Sequence, residues 1–149
     1  MSGKLVFTVG AVLRGDDAAG PMLARMIQDK PIDGWQLIDG EQMPEDFIAP
    51  VRRMQPDKLV LVDAAMMGLS PGEVRFLSRD DVLDNYMLST HSLPLSFLLD
   101  ELSLCCSDIT FLGIQPAQMD FAAPLTSAVY DAVKKIYAAI FKDDFSEFC

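Results

Sequence analysis

Leu59-Val60-Leu61-Val62, followed at once by Asp63, is the stretch that decides the fold. Four consecutive apolar residues leave neither side of a strand polar. Such a strand is covered on both faces, as in a parallel sheet with helices on each side. Upstream, Leu5 to Val9 is a second apolar run, closed by Gly10, and Trp35 to Ile38 a third, closed by Asp39-Gly40. Downstream, Ile109 to Leu112 reads as another buried strand ended by Gly113, and Glu73 to Leu77 alternates as a more exposed one. Helical patterns separate these runs. After a loop from Gly10 to Gly20, Pro21 opens a helix carrying Met22, Leu23, Met26 and Ile27. Glu45 to Met54 is a helix disturbed by Pro50, Asp80 to Tyr86 a short one, and Leu95 to Leu104 an apolar one. Thr126 to Phe141 bears the stripe Val129, Val133, Ile136 and Ile140. The alternation predicts an α/β protein, a three-layer sandwich with a mainly parallel twisted sheet flanked by helices, in one domain over residues 1–149. The tail from Asp143 onward is acidic apart from two phenylalanines and is expected to be loosely ordered.

Composition narrows the function. A chain of 149 residues, half of them apolar, can fill a core. A net charge of -10 argues against nucleic acid, whose phosphates nothing here would neutralise. It suits solubility or a basic partner segment. Asp, Gly or Pro interrupts every apolar stretch before the roughly 18 residues a membrane span needs. The N-terminus lacks the features of a secretory signal, so the cytoplasm is the expected location. Cys105 and Cys106 are adjacent and Cys149 stands alone, a pattern unlike a disulfide framework or a zinc site and better read as two small residues at a helix end and one solvent thiol. No strongly apolar exposed stripe stands out, which leads to the expectation of a monomer.

Ligands of open α/β sheets bind beyond the C-terminal ends of the strands. Three strands end in carboxylates there: Asp16 and Asp17 after the first, Asp39 after the second, Asp63 after Leu-Val-Leu-Val. Asp16 is equally readable as a cap of the first helix, and Asp39-Gly40 as an ordinary turn pair. Asp63 is harder to read as bland, because a carboxylate at the mouth of a buried strand needs partners or a cation. The single histidine, His91, precedes Ser92 and Pro94, which read as the cap and first turn of a helix. That position keeps the ring neutral, the form that binds metal. Carboxylates plus one imidazole suit a borderline divalent ion such as nickel or zinc. HExxH, GxSxG, Walker A and GxGxxG motifs are absent. A Ser-His-Asp arrangement through Ser89, Ser92 or Ser96 has no local motif behind it. By spacing alone these donors justify only a small α/β protein with an acidic cleft.

A family resemblance goes further. VGAVLRGDDAAGP, Val9 to Pro21, is similar to the opening signature of the NiFe-hydrogenase maturation endopeptidases. Leu37-Ile38-Asp39-Gly40, Leu61 to Arg75 (LVDAAMMGLSPGEVR), Ser89 to Leu102 (STHSLPLSFLLDEL) and Phe111 to Pro116 (FLGIQP) follow in the family's order. The likeness covers roughly residues 4 to 140 and is nearest the branch that matures the formate-hydrogenlyase hydrogenase. It implies a phosphorylase/hydrolase-like sandwich and an enzyme that removes the C-terminal extension of a NiFe-hydrogenase large-subunit precursor after nickel insertion. It implies Asp17, Asp63 and His91 as metal ligands, with Asp39 in substrate recognition or cleavage. In a cleavage mechanism on these residues a carboxylate, Asp39 or Asp16, is the expected general base. The cofactor implied is nickel carried by the precursor, a site that zinc or cadmium could fill in vitro. Ala11 stands where the family has asparagine, and Ala18 where it has glycine, a strained substitution if that position needs positive φ. Glu41 follows Asp39-Gly40 where a small residue is common. Ala11 and Ala18 are what would favour the alternative, a non-cleaving nickel-dependent checkpoint or chaperone binder. An acidic α/β binding module whose carboxylates are mere caps is the third reading.

Overall fold

The computed structural model describes residues 3–83, 87–88 and 95–149. The central strand β3 (Lys58–Met66) has β1 (Lys4–Thr8) on one side and β6 (Ile109–Ile114) on the other, both parallel to it. β2 (Trp35–Asp39) lies parallel outside β1, and β4 (Val74–Phe76) antiparallel outside β6, giving the order β2-β1-β3-β6-β4. A two-residue strand, β5 (Met87–Leu88), pairs antiparallel with the far end of β3.

Alternation along β3 explains the unbroken apolar run. Val60 and Val62 face one layer, built by α1 (Ala19–Asp29) and α5 (Ser127–Lys142), with Leu23, Val133 and Ile136 packed against them. Leu59 and Leu61 face the other, built by α2 (Ile48–Met54) and α4 (Leu95–Ser103), with Val51, Leu98 and Leu102. Both layers are dry, so both faces of the strand must be apolar. The expected sandwich is therefore the observed one.

Several boundaries move. β3 does not end at Asp63: pairing with β6 continues through Asp63–Gly113 and Ala64–Ile114 after β1 has stopped. Gly113 likewise sits inside β6 instead of ending it, where a Cβ would crowd Leu77 Cδ1 at 2.7 Å. A 3-10 turn, Gly15–Ala18, occupies the first loop, and α1 starts at Ala19, before Pro21. The segment expected as one helix from Glu45 splits into a 3-10 turn, Pro44–Phe47, and α2. Pro50 falls in the first turn of α2, where its missing N–H has no intrahelical partner to lose. The short helix α3 covers Arg79–Leu83; residues 84–86, the rest of the expected span, lie outside the described residues.

The tail is the main correction. It is not loose: Phe145 and Phe148 are 7% and 5% exposed and belong to the α1/α5 core. Phe145 meets Trp35 edge-on at 6.4 Å, a geometry aromatic pairs favour. Asp143, in the left-handed C-cap of α5 (φ 54), pairs with Lys4 Nζ (3.0 Å) and Lys58 Nζ (2.8 Å) at the starts of β1 and β3. The cysteines are free, Cys105 and Cys106 buried just past α4 and Cys149 exposed. Burial pushes the Cys106 thiol up, keeping it protonated. No helix among the described residues is long and apolar enough to cross a membrane.

Candidate functional site

The first loop is held by two close approaches. A Cβ on Gly10 would come within 2.1 Å of the Asp17 carbonyl oxygen, and one on Gly20 within 2.3 Å of the Val9 carbonyl oxygen. Only glycine lets the end of β1 and the start of α1 meet this tightly. Val9 N–H extends the ladder to Val62 O (3.0 Å), fixing the loop to β3. Asp17, fully buried, accepts a hydrogen bond at Oδ2 from Ala11 N–H (3.1 Å). Ala11 thus contributes through its backbone, which any side chain leaves intact. Ala18 has φ -79, an ordinary value, so alanine there carries no backbone strain.

Asp16, also fully buried, does different work from its neighbour. Its Oδ2 accepts from Ala117 N–H (2.8 Å) and Gln118 N–H (3.2 Å), and its Oδ1 from Thr126 N–H (2.7 Å). Thr126 Oγ1 donates to the same carboxylate at 2.9 and 3.0 Å. Thr126 is the residue immediately before α5. Asp16 therefore does not cap the first helix; it ties the start of the last helix to the first loop. With both oxygens already saturated by donors, it is poorly disposed to act as a base.

Asp39 closes β2 level with Thr8 of β1. Its Oδ1 accepts from Thr8 Oγ1 and from Glu41 N–H, each at 3.2 Å. Gly40 N–H to Thr8 O (2.7 Å) and Gly10 N–H to Glu41 O (2.9 Å) stitch the two loops together. Asp63 is fully buried in β3, opposite Gly113 and just past the last β1 pair, Thr8–Val62. Period-two alternation places Asp63 with Leu59 and Leu61 toward the α2/α4 layer. Asp39, in line with Leu37 and level with Thr8, belongs to the α1/α5 side. These two carboxylates flank the edge of the sheet from opposite faces and do not converge.

The 3-10 turn bearing Asp17 packs on β3, which bears Asp63. Among the described residues no group of three His, Cys, Asp or Glu side chains could hold a metal. Asp17 and Asp63 are hard oxygen donors, and a borderline ion would draw its third donor from an imidazole. His91 lies outside the described residues; α4 begins at Leu95, on the face toward which Asp63 points.

Two contributors were missed from the sequence. Gln115, 4% exposed, accepts at Oε1 from Met67 N–H (2.7 Å) and Leu69 N–H (3.3 Å) and donates to Pro116 O (3.1 Å). It locks the segment after β3 to the end of β6. The signal was a polar residue directly after the buried Phe111-to-Ile114 run. Thr8, fully buried and bonded to Asp39, was hidden as the only hydroxyl in an apolar strand. Asp39 also lines a trough of about 370 Å³ between α1 and residues 123–125. A larger cavity of about 430 Å³, between β4 and α5, is lined by none of these carboxylates.

Comparison with known proteins gives this arrangement a context. Residues 21–143 match the family model described as hydrogenase maturation protease. The chain is 41% identical over 133 residues to the hydrogenase 3 maturation protease of Escherichia coli K12, covering 89% of this chain and 85% of that one. It is 31% identical over 134 residues to a putative hydrogenase maturation protease of Methanocaldococcus jannaschii, covering 84% and 78%. The solution structure of the endopeptidase HycI from Escherichia coli superposes with a TM-score of 0.87 at 39% identity, over 95% of this chain and 90% of that one.

Proposed function

Because this chain belongs to the hydrogenase maturation proteases, we propose that it is the endopeptidase that removes the C-terminal extension of a NiFe-hydrogenase large-subunit precursor once nickel is in place. The observation that carries this reading is a pair of fully buried carboxylates, Asp17 and Asp63, at one edge of the sheet. Both stand at the strand-end edge where ligands of open α/β sheets bind. One is fixed by a glycine-lined loop and the other by the central strand, so neither can drift.

Nickel is cargo of the substrate in this reading. Asp17, Asp63 and His91 would complete its shell, and the ion would polarise the scissile carbonyl. The remaining roles fall to the chain itself. Asp39 offers its second oxygen to the peptide, since Thr8 and Glu41 engage only Oδ1. Gln115 holds the segment after Asp63 at a fixed distance from β6. Asp16 keeps the far wall of the site in place. Ala11 and Ala18, the two residues that would argue for a binder without cleavage, act through backbone groups in ordinary geometry, so the cleaving reading is preferred.

The test is a mass assay on nickel-loaded large-subunit precursor with this protein and its Asp63→Asn and Asp17→Asn variants. The wild type is expected to lower the precursor mass by that of a C-terminal peptide. Each variant should slow this by about 10²–10⁴-fold, the range seen when an essential acid–base or charged group is removed. A stable complex with unchanged precursor mass for the wild type would replace the endopeptidase by the checkpoint binder.

A further inference from the structure

The trough beside Asp39 is shaped for one extended chain. Ala18, Pro21, Met22, Arg25 and Gln28 line it at spacings of three and four, a single stripe of the helix, and Pro124 and Leu125 face them. Ala18 to Gln28 is about 15 Å of helix at 1.5 Å per residue. An extended peptide covers that with about four or five residues. The walls are largely apolar, and Val12 at the rim is 59% exposed. Two charges line it: Asp39 and, about 10 Å along α1 from Ala18, Arg25. Arg25 has no acidic partner among the described residues, although the chain carries 22 acidic side chains against 12 basic ones. A folded, metal-bearing body must address Asp17 and Asp63, and Asp63 points to the opposite face of the sheet. A chain that has reached the trough has therefore crossed the edge and passed the bond to be cut.

We propose that the trough holds the released side of the precursor, an extended and mainly apolar stretch of the C-terminal extension carrying an acidic side chain that pairs with Arg25. That acidic residue lies about three extended positions beyond the one beside Ala18. The inference rests on the endopeptidase reading and adds to it what the enzyme grips.

The test places the photoreactive residue benzoylphenylalanine at Met22, with a control at Phe141, 70% exposed near the end of α5. Each form is irradiated with nickel-loaded NiFe-hydrogenase large-subunit precursor, the cross-linked peptide is mapped by mass spectrometry, and precursor mass is read in the same sample. In parallel, KM and kcat are measured for Arg25→Glu and Arg25→Lys. Support is a cross-link from position 22 within the C-terminal extension, with Arg25→Glu raising KM about tenfold at near-constant kcat and Arg25→Lys restoring most of it. Cross-links confined to the folded body, or an unchanged KM for Arg25→Glu, overturn the trough while cleavage by the wild type leaves the endopeptidase standing. A cross-link in the extension without any mass drop does the reverse: the trough stands and the cleavage reading falls. Neither cross-link nor mass drop overturns both.

Discussion

At the C-terminal ends of the strands the molecule buries Asp16, Asp17 and Asp63 completely, while at the opposite ends Lys4, Lys58 and Asp143 meet with side chains 23–37% exposed. Both regions use a carboxylate to pin a distant stretch of chain. Asp16 pins residues 117–126 through backbone N–H groups and a threonine hydroxyl. Asp143 pins the tail through two ammonium groups, each of which also stands over an aromatic ring, Trp35 at 5.2 Å and Phe145 at 5.1 Å. The difference teaches what each end is for. A buried acid satisfied by fixed N–H donors sets geometry to a fraction of an ångström. An exposed ion pair tolerates movement and contributes little. Where shape matters the chain accepts the cost of burial; where only closure matters it relies on apolar contact and leaves the charges wet.

The contrast is strongest, and most easily broken, at Asp16. Asp16→Ala leaves several buried donors without an acceptor and should lower unfolding free energy by about 4 kcal/mol, read by urea titration. Asp16→Asn, which keeps one acceptor oxygen, should lose clearly less. Equal losses would mean that the carboxylate is not what ties 117–126 to the first loop. Phe145→Ala at the other end should cost about 3 kcal/mol, the low side of the range for a core phenylalanine near a chain end. It should leave cleavage of precursor unchanged wherever the protein stays folded. A loss of kcat there would erase the division between the two ends.

The smallest effect is expected at Asp143. Lys58 foremost, then Lys4, hold its carboxyl below the usual carboxylate range. A depressed folded-state pKa means that the stabilisation is present above the ordinary carboxylate pKa and is lost as pH falls through the lower folded value. Acid titration followed by Trp35 fluorescence should show the tail loosening in that window. Asp143→Asn should abolish the step and cost below about 1 kcal/mol at neutral pH. A step that persists in the variant would assign it to another acid.

How legible each part was follows from the range of the interactions involved. Leu59 to Val62 announced a strand covered on both sides because every residue in it meets a dry layer. Asp39 could be read as the close of its strand from local sequence, whereas Asp63, read as a strand end, lies inside β3, because the pairing with β6 that carries the strand on is not local. The function of Asp16 could not be read locally either, since its partners lie 101–110 residues away and nothing near it distinguishes a long-range tie from a helix cap. The tail misled for the same reason: its acidic residues suggest solvent, and the ring that receives Phe145 is Trp35, at the far end of the chain. That Asp39 and Asp63 fall on opposite faces was implicit in the alternation, but it becomes usable only once the register of β1 against both neighbours is known.

The tie between Asp16 and Thr126 also sets an order of assembly. Residue 16 leaves the ribosome early, yet its carboxylate has nothing to hold until the segment before the last helix has been made. Contacts between such distant positions form late, after the loop between them has closed. During synthesis, at about 5–20 residues per second, the growing chain carries the first loop without the wall that completes the trough. A partly made copy therefore lacks one wall of the trough, and the proposed grip on a precursor arrives only when the last helix docks.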